Sequence, residues 1–369
     1  MSEKMLRLRK KKNRLLALDL GPSALKMILA DPRGKSPLVE DILYREYSRP
    51  LPHLHDPEIE KFFAEELRQI MAAYLDRDLP VALPLPTQLV SRQDLQLPEM
   101  ADKDLEQAIY WALKEKMEQS PDIFQRDHLV LGKVSEGGRQ LLAVRVYLAK
   151  QDDVLRIESL FDGLGLRVQY LEPEEIVLTS TWQLCFPDTG SENSLVVNIG
   201  GLGTTILIIS GGLPVITRRV AVSPRAWAAS LALHRNLDEE LARQLLREHG
   251  LSFYRHRFDK LAEGKLQEEI FTALEADMQQ LALEIHRTID YFQSTMHRGK
   301  VKHILLAGGG SQLPDLDFYL ADTLEIPCDI FDPLESLDFS AFKGDPEQLA
   351  SCRQHGARFA VAAGLARRD

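Results

Sequence analysis

The chain has 369 residues, 44% of them hydrophobic, so it is long enough to bury a large core in two domains or one bilobed fold. Its formal net charge of −10 argues against general affinity for nucleic acid. No run of 18 apolar residues is present, which argues against a transmembrane helix. The three cysteines are widely spaced, which favours a reducing cytoplasm over a disulfide-bonded fold.

The first residues depart from this acidic balance. Seven basic residues between Lys4 and Arg14 are opposed by Glu3 alone. Contact with an anionic membrane surface, at about 1 kcal/mol per basic residue, and a solvated tail both fit this pattern. We therefore treat residues 1–13 as a basic N-terminal tail outside the folded part.

Two strand, corner, strand patterns about 180 residues apart organise the rest of the chain. In RLLALDLGPSALKMILA, from Arg14, the corner contains Asp19 and Gly21; in SLVVNIGGLGTTILIISGG, from Ser194, glycines directly follow Asn198. Such corners leave unpaired backbone N–H groups where an anion can approach, although ordinary hydrophobic hairpins also use glycines. The repetition predicts a duplicated domain with a cleft between the copies.

Apolar periodicity and the proline and glycine breaks predict the remaining elements in chain order. Helices are expected over 57–77, 102–117, 152–164, 173–186, 237–249, 266–297, 316–324 and 350–366, and strands over 81–83, 129–134, 140–149 and 166–171. Prolines after residue 83 mark a change of subdomain, so 86–171 is expected to be a small inserted α/β module.

A third glycine motif follows the apolar run that begins at Val301. Gly308, Gly309 and Gly310 form a tight turn before the helix at 316–324. A flat ring could lie over such a turn, with helix N–H groups nearby for phosphate. On its own the triple glycine is weak evidence, but its position after two phosphate-type hairpins strengthens it.

These three motifs, at 18–26, 198–205 and 306–310, resemble the phosphate and adenosine motifs of the actin, sugar kinase and Hsp70 superfamily. The closer resemblance is to the PilM family of type IV pilus assembly. It rests on the Asp-x-Gly-x-Ser-x-x-Lys corner at 19–26, on residues 284–333 and on the closing FAVAAGLARR. The resemblance implies an α/β, actin-like, bilobed ATPase fold of the duplicated ribonuclease H-like type, with an inserted subdomain called 1C.

The resemblance also implies the domain limits. They are subdomain 1A at 14–85, the inserted subdomain 1C at 86–171, a connecting helix at 172–190, subdomain 2A at 191–235, subdomain 2B at 236–275, a return to 2A with the adenosine motif at 276–349, and a C-terminal helix on 1A at 350–369.

By the same resemblance, the cofactors are ATP and Mg²⁺. Asp19 would position Mg²⁺ through water, and Ser23 and Lys26, which follow Gly21, would approach the phosphates. From the other lobe, phosphate would meet Thr204 and the N–H groups of Gly200 and Gly201, and Gly308, Gly309 and Gly310 would pack under the nucleoside. Simple turn formation is the alternative for the second hairpin, and a plain surface position is the alternative for Lys26.

Two departures from the family pattern bear on activity. Asn198 stands where an aspartate is usual, so the hydrogen bonding is kept but a negative charge near the metal is lost. Pro22 removes one backbone N–H from the first corner. We therefore expect at most a weak ATPase and assign no catalytic residue.

The resemblance implies a cytoplasmic protein, peripheral to the inner membrane. Its partner would be the N-terminal peptide of PilN, a bitopic inner-membrane protein, bound in a groove between the first lobe and the inserted module, alongside other pilus assembly components. Membrane contact would be indirect or through the basic tail. The alternatives are a degenerate interaction module with an empty cleft, a small-molecule kinase, for which no catalytic carboxylate is identifiable, and a cell-division filament resembling FtsA.

Overall fold

The computed structural model describes residues 14–75, 79–136, 138–188, 192–256, 264–296 and 299–368. The strands are β1 (Leu15–Leu20), β2 (Ala24–Asp31), β3 (Leu38–Glu46), β4 (Pro80–Leu85), β5 (Val90–Pro98), β6 (Phe124–Glu136), β7 (Arg139–Lys150), β8 (Arg167–Pro173), β9 (Ser194–Gly200), β10 (Gly203–Ser210), β11 (Leu213–Val220), β12 (His303–Ala307) and β13 (Cys328–Ile330). The basic tail at 1–13 lies outside the described residues.

The α-helices are α1 (Glu58–Phe62), α2 (Arg68–Ile70), α3 (Asp102–Lys116), α4 (Gln151–Leu164), α5 (Glu174–Cys185), α6 (Pro224–Arg235), α7 (Glu239–His249), α8 (Ser252–His256), α9 (Lys265–Tyr291), α10 (Leu316–Leu324), α11 (Pro346–Arg353) and α12 (Ala360–Leu365). Short π-helical turns cover Phe63–Leu67 and Phe292–Met296. Turns of 3₁₀ helix include Thr87–Leu89, Gly309–Gln312 and Gly356–Phe359. Within the part of the chain described, none of the helices has the length and apolarity that crossing a bilayer requires.

Two five-stranded sheets repeat one topology. The first has the order β3-β2-β1-β4-β8 and the second β11-β10-β9-β12-β13. In each sheet three consecutive strands form an antiparallel meander, and two later strands run parallel to the first strand of that meander. The predicted duplication and the actin-like α/β fold are confirmed.

The two sheets lie on either side of a middle layer formed by α5 and α12. The side chains of β1 point alternately into two hydrophobic cores. Leu15 and Ala17 belong to the core shared with the middle layer, whereas Leu16 and Leu18 belong to the core on the outer face of the first sheet. Both faces of these strands are therefore buried, which explains their continuous apolar sequences. A Cβ on Gly364 would lie 2.2 Å from the carbonyl oxygen of Val177, so this glycine lets α12 approach α5 closely.

The inserted module forms its own sheet, in the order β5-β7-β6, with α3 packed on it over a separate hydrophobic core. This separate unit is shorter than the expected 86–171. β8 pairs with β4 in the first five-stranded sheet, and α4 packs on that sheet through Ile157 and Phe161. The domain limits themselves stay a prediction.

The single helix expected over 350–366 is wrong, because the chain breaks between α11 and α12. Gly356 lies against the Asp332 side chain, and a Cβ there would be only 1.9 Å from Oδ1 of that carboxylate. The break thus follows from a contact with a distant residue.

The helix expected over 57–77 is also divided. α1 is followed by the π turn Phe63–Leu67, α2 and a final 3₁₀ turn, and residues 76–78 lie outside the described part. Phe62 and Leu67, five residues apart, are both fully buried. A π turn places residues i and i+5 on one face, which a regular α-helix does not.

Candidate functional site

The first hairpin holds an ion pair above its corner. Asp19 and Lys26 face each other across β1 and β2, and Lys26 Nζ lies 3.0 Å from Asp19 Oδ2. A Cβ on Gly21 would lie 2.6 Å from that ammonium, so any side chain at this position would push the lysine away from the corner. Ser23 is exposed, and its carbonyl accepts the N–H of Tyr47.

The second hairpin turns between Gly200 and Gly203, which face each other at the ends of β9 and β10. The Thr204 side chain is fully buried, and its hydroxyl donates to the Val222 carbonyl at 2.7 Å. This hydroxyl therefore bonds within its own lobe. The exposed Arg219 lies against Gly203, which the sequence did not single out.

The two hairpins touch each other across the lobes. A Cβ on Gly201 would lie 2.7 Å from Cγ of Pro22, so the proline ring rests against the glycine backbone. Gly201 is thus required by the approach of the other lobe and not by its turn alone. The predicted phosphate motifs come together, and the hairpins are in contact.

The triple glycine packs beside the end of β9. Gly308 has φ +82°, and a Cβ there would lie 2.5 Å from the Ile199 carbonyl oxygen and 2.6 Å from Asn198 Oδ1. A Cβ on Gly310 would lie 2.2 Å from Cγ2 of Ile199. Gly309 is exposed and would meet nothing within 4 Å. Two of the three glycines are therefore explained by close packing, and the middle one faces open space.

Asn198 is held by a carboxylate that the sequence analysis missed. Its Nδ2 donates to Glu174 Oε1 at 2.7 Å, and the other oxygen of Glu174 accepts from the Thr87 hydroxyl at 2.8 Å. Glu174 is the first residue of α5, where acidic residues are common because they suit the helix dipole. That commonness is why the sequence did not distinguish it.

The next residue, Glu175, is the centre of a buried ionic network. It is 5% exposed and accepts from Arg92 Nη1 at 2.5 Å and from the Tyr147 hydroxyl at 2.6 Å. Burial, with the negative charge of Glu175, raises the pKa of Tyr147 above its usual range, so the phenol stays protonated and donates.

Arg145, 6% exposed, completes this network. Its guanidinium pairs with both oxygens of Asp94, at 2.8 and 2.9 Å, and donates to the carbonyls of Pro214 and Val215 on β11. Hydrogen bonding from Arg145 lowers the pKa of Asp94. The inserted sheet is thereby fastened to the edge strand of the second lobe.

Several features fit a magnesium nucleotide between the lobes. Asp19, Asn198 and Glu174 carry oxygen atoms that could face the water shell of a metal ion, and Lys26 carries a positive charge at the corner. The hydroxyl of Tyr47 is buried without a hydrogen-bond partner among the described residues; burial and then the charge of Asp19 raise its pKa. In the described part no group of three or more His, Cys, Asp and Glu side chains could hold a metal ion directly. Mg²⁺ suits such a site because it keeps several waters and binds mainly through phosphate.

A separate groove of about 390 Å³ lies between the inserted sheet and the start of α4, beside the loop that precedes α1. It is lined by His55, Gln88, Leu89, Val90, Ser91, Phe124, Lys150 and Asp153. His55 Nε2 and Asp153 Oδ1 are 2.8 Å apart across one side. The lining is thus apolar at Leu89, Val90 and Phe124 and charged at its margins. No single stretch of sequence marks it, since its residues come from four separate segments, at 55, 88–91, 124 and 150–153.

The comparisons with known proteins agree with this architecture. The family model described as type IV pilus assembly protein PilM matches residues 17–369. The solved structure titled PilM-PilN type IV pilus biogenesis complex is 23% identical, with a TM-score of 0.76 over 95% of this chain and 97% of that chain. The ethanolamine utilization protein EutJ from Carboxydothermus hydrogenoformans is 14% identical, with a TM-score of 0.54 over 95% and 88% of the two chains. No curated protein matches the chain.

The family match covers nearly the whole chain, and the two solved structures share its fold. The triple glycine, the second hairpin and the corner of the first hairpin at 19–26 lie within the matched residues. The chain belongs to the PilM family of actin-like type IV pilus assembly proteins.

Proposed function

We propose that this protein is a nucleotide-responsive scaffold of the pilus machinery at the cytoplasmic face of the inner membrane. Its groove binds the N-terminal cytoplasmic peptide of a PilN-like bitopic protein, and its cleft binds Mg²⁺-ATP. The groove between the inserted sheet and the start of α4 carries this proposal, because it offers a site for part of an extended peptide apart from the nucleotide cleft. The PilM-PilN complex among the similar structures supports the same partner.

The lining of the groove suits an extended peptide. Leu89, Val90 and Phe124 can receive an apolar side chain, while Lys150 and the His55–Asp153 pair can meet polar groups on either side of it. β5 is an edge strand of the inserted sheet, and Val90 and Ser91 lie at its start. The peptide would thus contact the inserted sheet and the start of α4, which packs on the first sheet.

In the cleft, Lys26 and the turn N–H groups of the second hairpin would hold phosphate, and Asp19, with Asn198 and Glu174 opposite, would hold the water shell of Mg²⁺. When bound, the metal and nucleotide supply opposite charges that draw the two lobes together. The nucleoside would lie at Gly309, the exposed member of the triple glycine. This chain's own contribution is binding and orientation, and we assign it no catalytic base.

Replacement of Ser91 by tyrosine is expected to block the peptide. Ser91 is exposed on β5 and lines the groove. A tyrosine there fills space that the peptide needs, and this steric effect does not depend on the charge of the peptide. We expect a loss of at least about tenfold in affinity, measured by titration calorimetry with the synthetic N-terminal peptide of the PilN-like protein from the same organism.

The matched control is Ser135→Tyr, an exposed serine of β6 in the same sheet, outside the groove. Strands accept tyrosine readily, so both variants should fold. Equal affinity of Ser91→Tyr and Ser135→Tyr for the peptide would place its site elsewhere. Absence of peptide binding to the wild-type protein would contradict the proposed PilN-like partner.

A second candidate is a scaffold that no longer binds nucleotide. Two observations favour it: Pro22 rests against Gly201, and the Thr204 hydroxyl is already bonded to Val222. Calorimetric titration with Mg²⁺-ATP decides between the two candidates. A working cleft predicts micromolar binding that Lys26→Ala abolishes, because the ammonium is the cation nearest the corner. Absence of heat in the wild type would favour the empty scaffold.

A further inference from the structure

Residues 88–91, which line the groove, are connected to the cleft through two adjacent carboxylates, Glu174 and Glu175. The connection starts at Glu174, which bonds Asn198 at the end of β9 and Thr87 on the other side. Thr87 begins the 3₁₀ turn whose other residues, Gln88 and Leu89, line the groove. One carboxylate therefore joins a cleft residue of the second lobe to the segment that forms the groove.

Glu175 makes the second connection. It pairs with Arg92, the residue that follows the groove residues Val90 and Ser91. The other nitrogen of the Arg92 guanidinium, Nη2, donates to the Thr217 carbonyl on β11 at 3.2 Å. Arg92 is thus bonded both to the connecting helix and to the second lobe.

The groove segment 88–91 is consequently held at both ends, by Thr87 and by Arg92. Both residues are bonded to the first turn of α5, and through Asn198 and Thr217 the same bonds reach the second lobe. Bonds to carboxylates in a partly buried setting are strong and short. A change in the angle between the lobes must therefore either carry residues 88–91 along or break these bonds.

We propose that Glu174 and Glu175 couple the nucleotide cleft to the peptide groove, so that the position of the second lobe sets the position of residues 88–91. This inference rests on the proposed function, since it concerns the two ligands assigned there. The alternative is that the two carboxylates only stabilise the folded chain and transmit nothing.

Hydrogen exchange of the full chain tests the coupling without any ligand. Asn198→Ala removes the cleft end of the connection, and we expect the amides of a fragment covering 87–92 to exchange several-fold faster. Thr87→Val removes the groove end with little change in shape, and we expect faster exchange at 198–203, since coupling is reciprocal.

Two controls separate coupling from general destabilisation. Gly309→Ala alters the same cleft at a residue with nothing nearby and should leave 87–92 unchanged. Helix α3, in the inserted module and outside the network, should exchange alike in every variant. Unchanged exchange at 87–92 in Asn198→Ala, or equal acceleration in α3, would overturn the proposal.

The ligands supply the second arm. In the wild type, Mg²⁺-ATP is expected to change the Kd of the PilN-like peptide by about fivefold or more. Thr87→Val removes a bond of the connection without touching a residue assigned to either ligand, and it is expected to reduce that change. Binding of both ligands with no mutual effect in the wild type overturns the coupling. Failure of either ligand to bind counts against the proposed function instead, and the exchange experiment then decides the coupling alone.

Discussion

Gly308→Ala is expected to lower the free energy of unfolding by about 3 kcal/mol. Two causes act together. The residue has φ +82°, which an alanine adopts only with strain, and the new methyl would lie 2.5 Å from the Ile199 carbonyl oxygen and 2.6 Å from Asn198 Oδ1. Because the nearest neighbour is backbone, the clash cannot be relieved by rotating a side chain. Urea unfolding followed by circular dichroism measures the loss.

The adjacent glycine provides the control. Gly309→Ala introduces the same methyl where nothing lies within 4 Å, and its φ is not in the left-handed region. We expect its unfolding free energy to stay within about 0.5 kcal/mol of the wild type. Similar losses of unfolding free energy in both variants would contradict the explanation that Gly308 is required by its packing against β9.

Arg145→Met is expected to cost about 3 kcal/mol in unfolding free energy. Methionine fills much of the same space, but Asp94 loses a bidentate partner and the carbonyls of Pro214 and Val215 lose their donor. The matched control is Arg139→Met, an exposed arginine at the start of the same strand. We expect that control to lie within about 0.5 kcal/mol of the wild type in the same urea measurement.

The cost of Arg145→Met should also depend on pH. Arg145 lowers the folded-state pKa of Asp94, so the stability from this pair is present above the unfolded value, near pH 4. It is lost as pH falls through the lower folded pKa. The difference between wild type and variant is therefore expected to shrink between pH 7 and pH 3. An equal difference at both values would show that the ion pair with Asp94 contributes little.

The first hairpin could be predicted from sequence because its partners are local. Asp19 and Lys26 stand at matching distances from the corner, so antiparallel pairing places them side by side. The second copy followed from the same reasoning. Thr204 was harder, because a small hydroxyl after a glycine turn suits phosphate and internal bonding equally, and only its distance to Val222 reveals the bond it makes.

The parts that sequence missed depend on contacts between distant segments. Glu174 reaches Asn198 only because α5 lies between the two sheets, and the groove joins residues from His55 to Asp153. The break before α12 likewise depends on Asp332 meeting Gly356. Local periodicity carries no information about such contacts, which is why it predicts a single helix over 350–366.

The hydrogen bond from Asn198 to Glu174 offers a structural reason for asparagine at this position. The cleft keeps a carboxylate beside this position, contributed by the connecting helix in place of β9. An aspartate at 198 would lie about where the amide now donates to Glu174, and two like charges at that distance repel unless a proton or a cation lies between them. The amide therefore allows the lobes to stay joined at this point without a metal ion.

For a nucleotide bound between the hairpins, the contact between Pro22 and Gly201 would limit how quickly it enters. A molecule destined for the space between the hairpins must wait until the lobes separate, so its observed association rate would level off at the rate of opening. Its apparent affinity is reduced by the fraction of molecules that are open; an open fraction of about one in ten raises the apparent Kd about tenfold. Association and dissociation would then both be slow, and the residence time of a bound nucleotide would be set by the rate at which the lobes open.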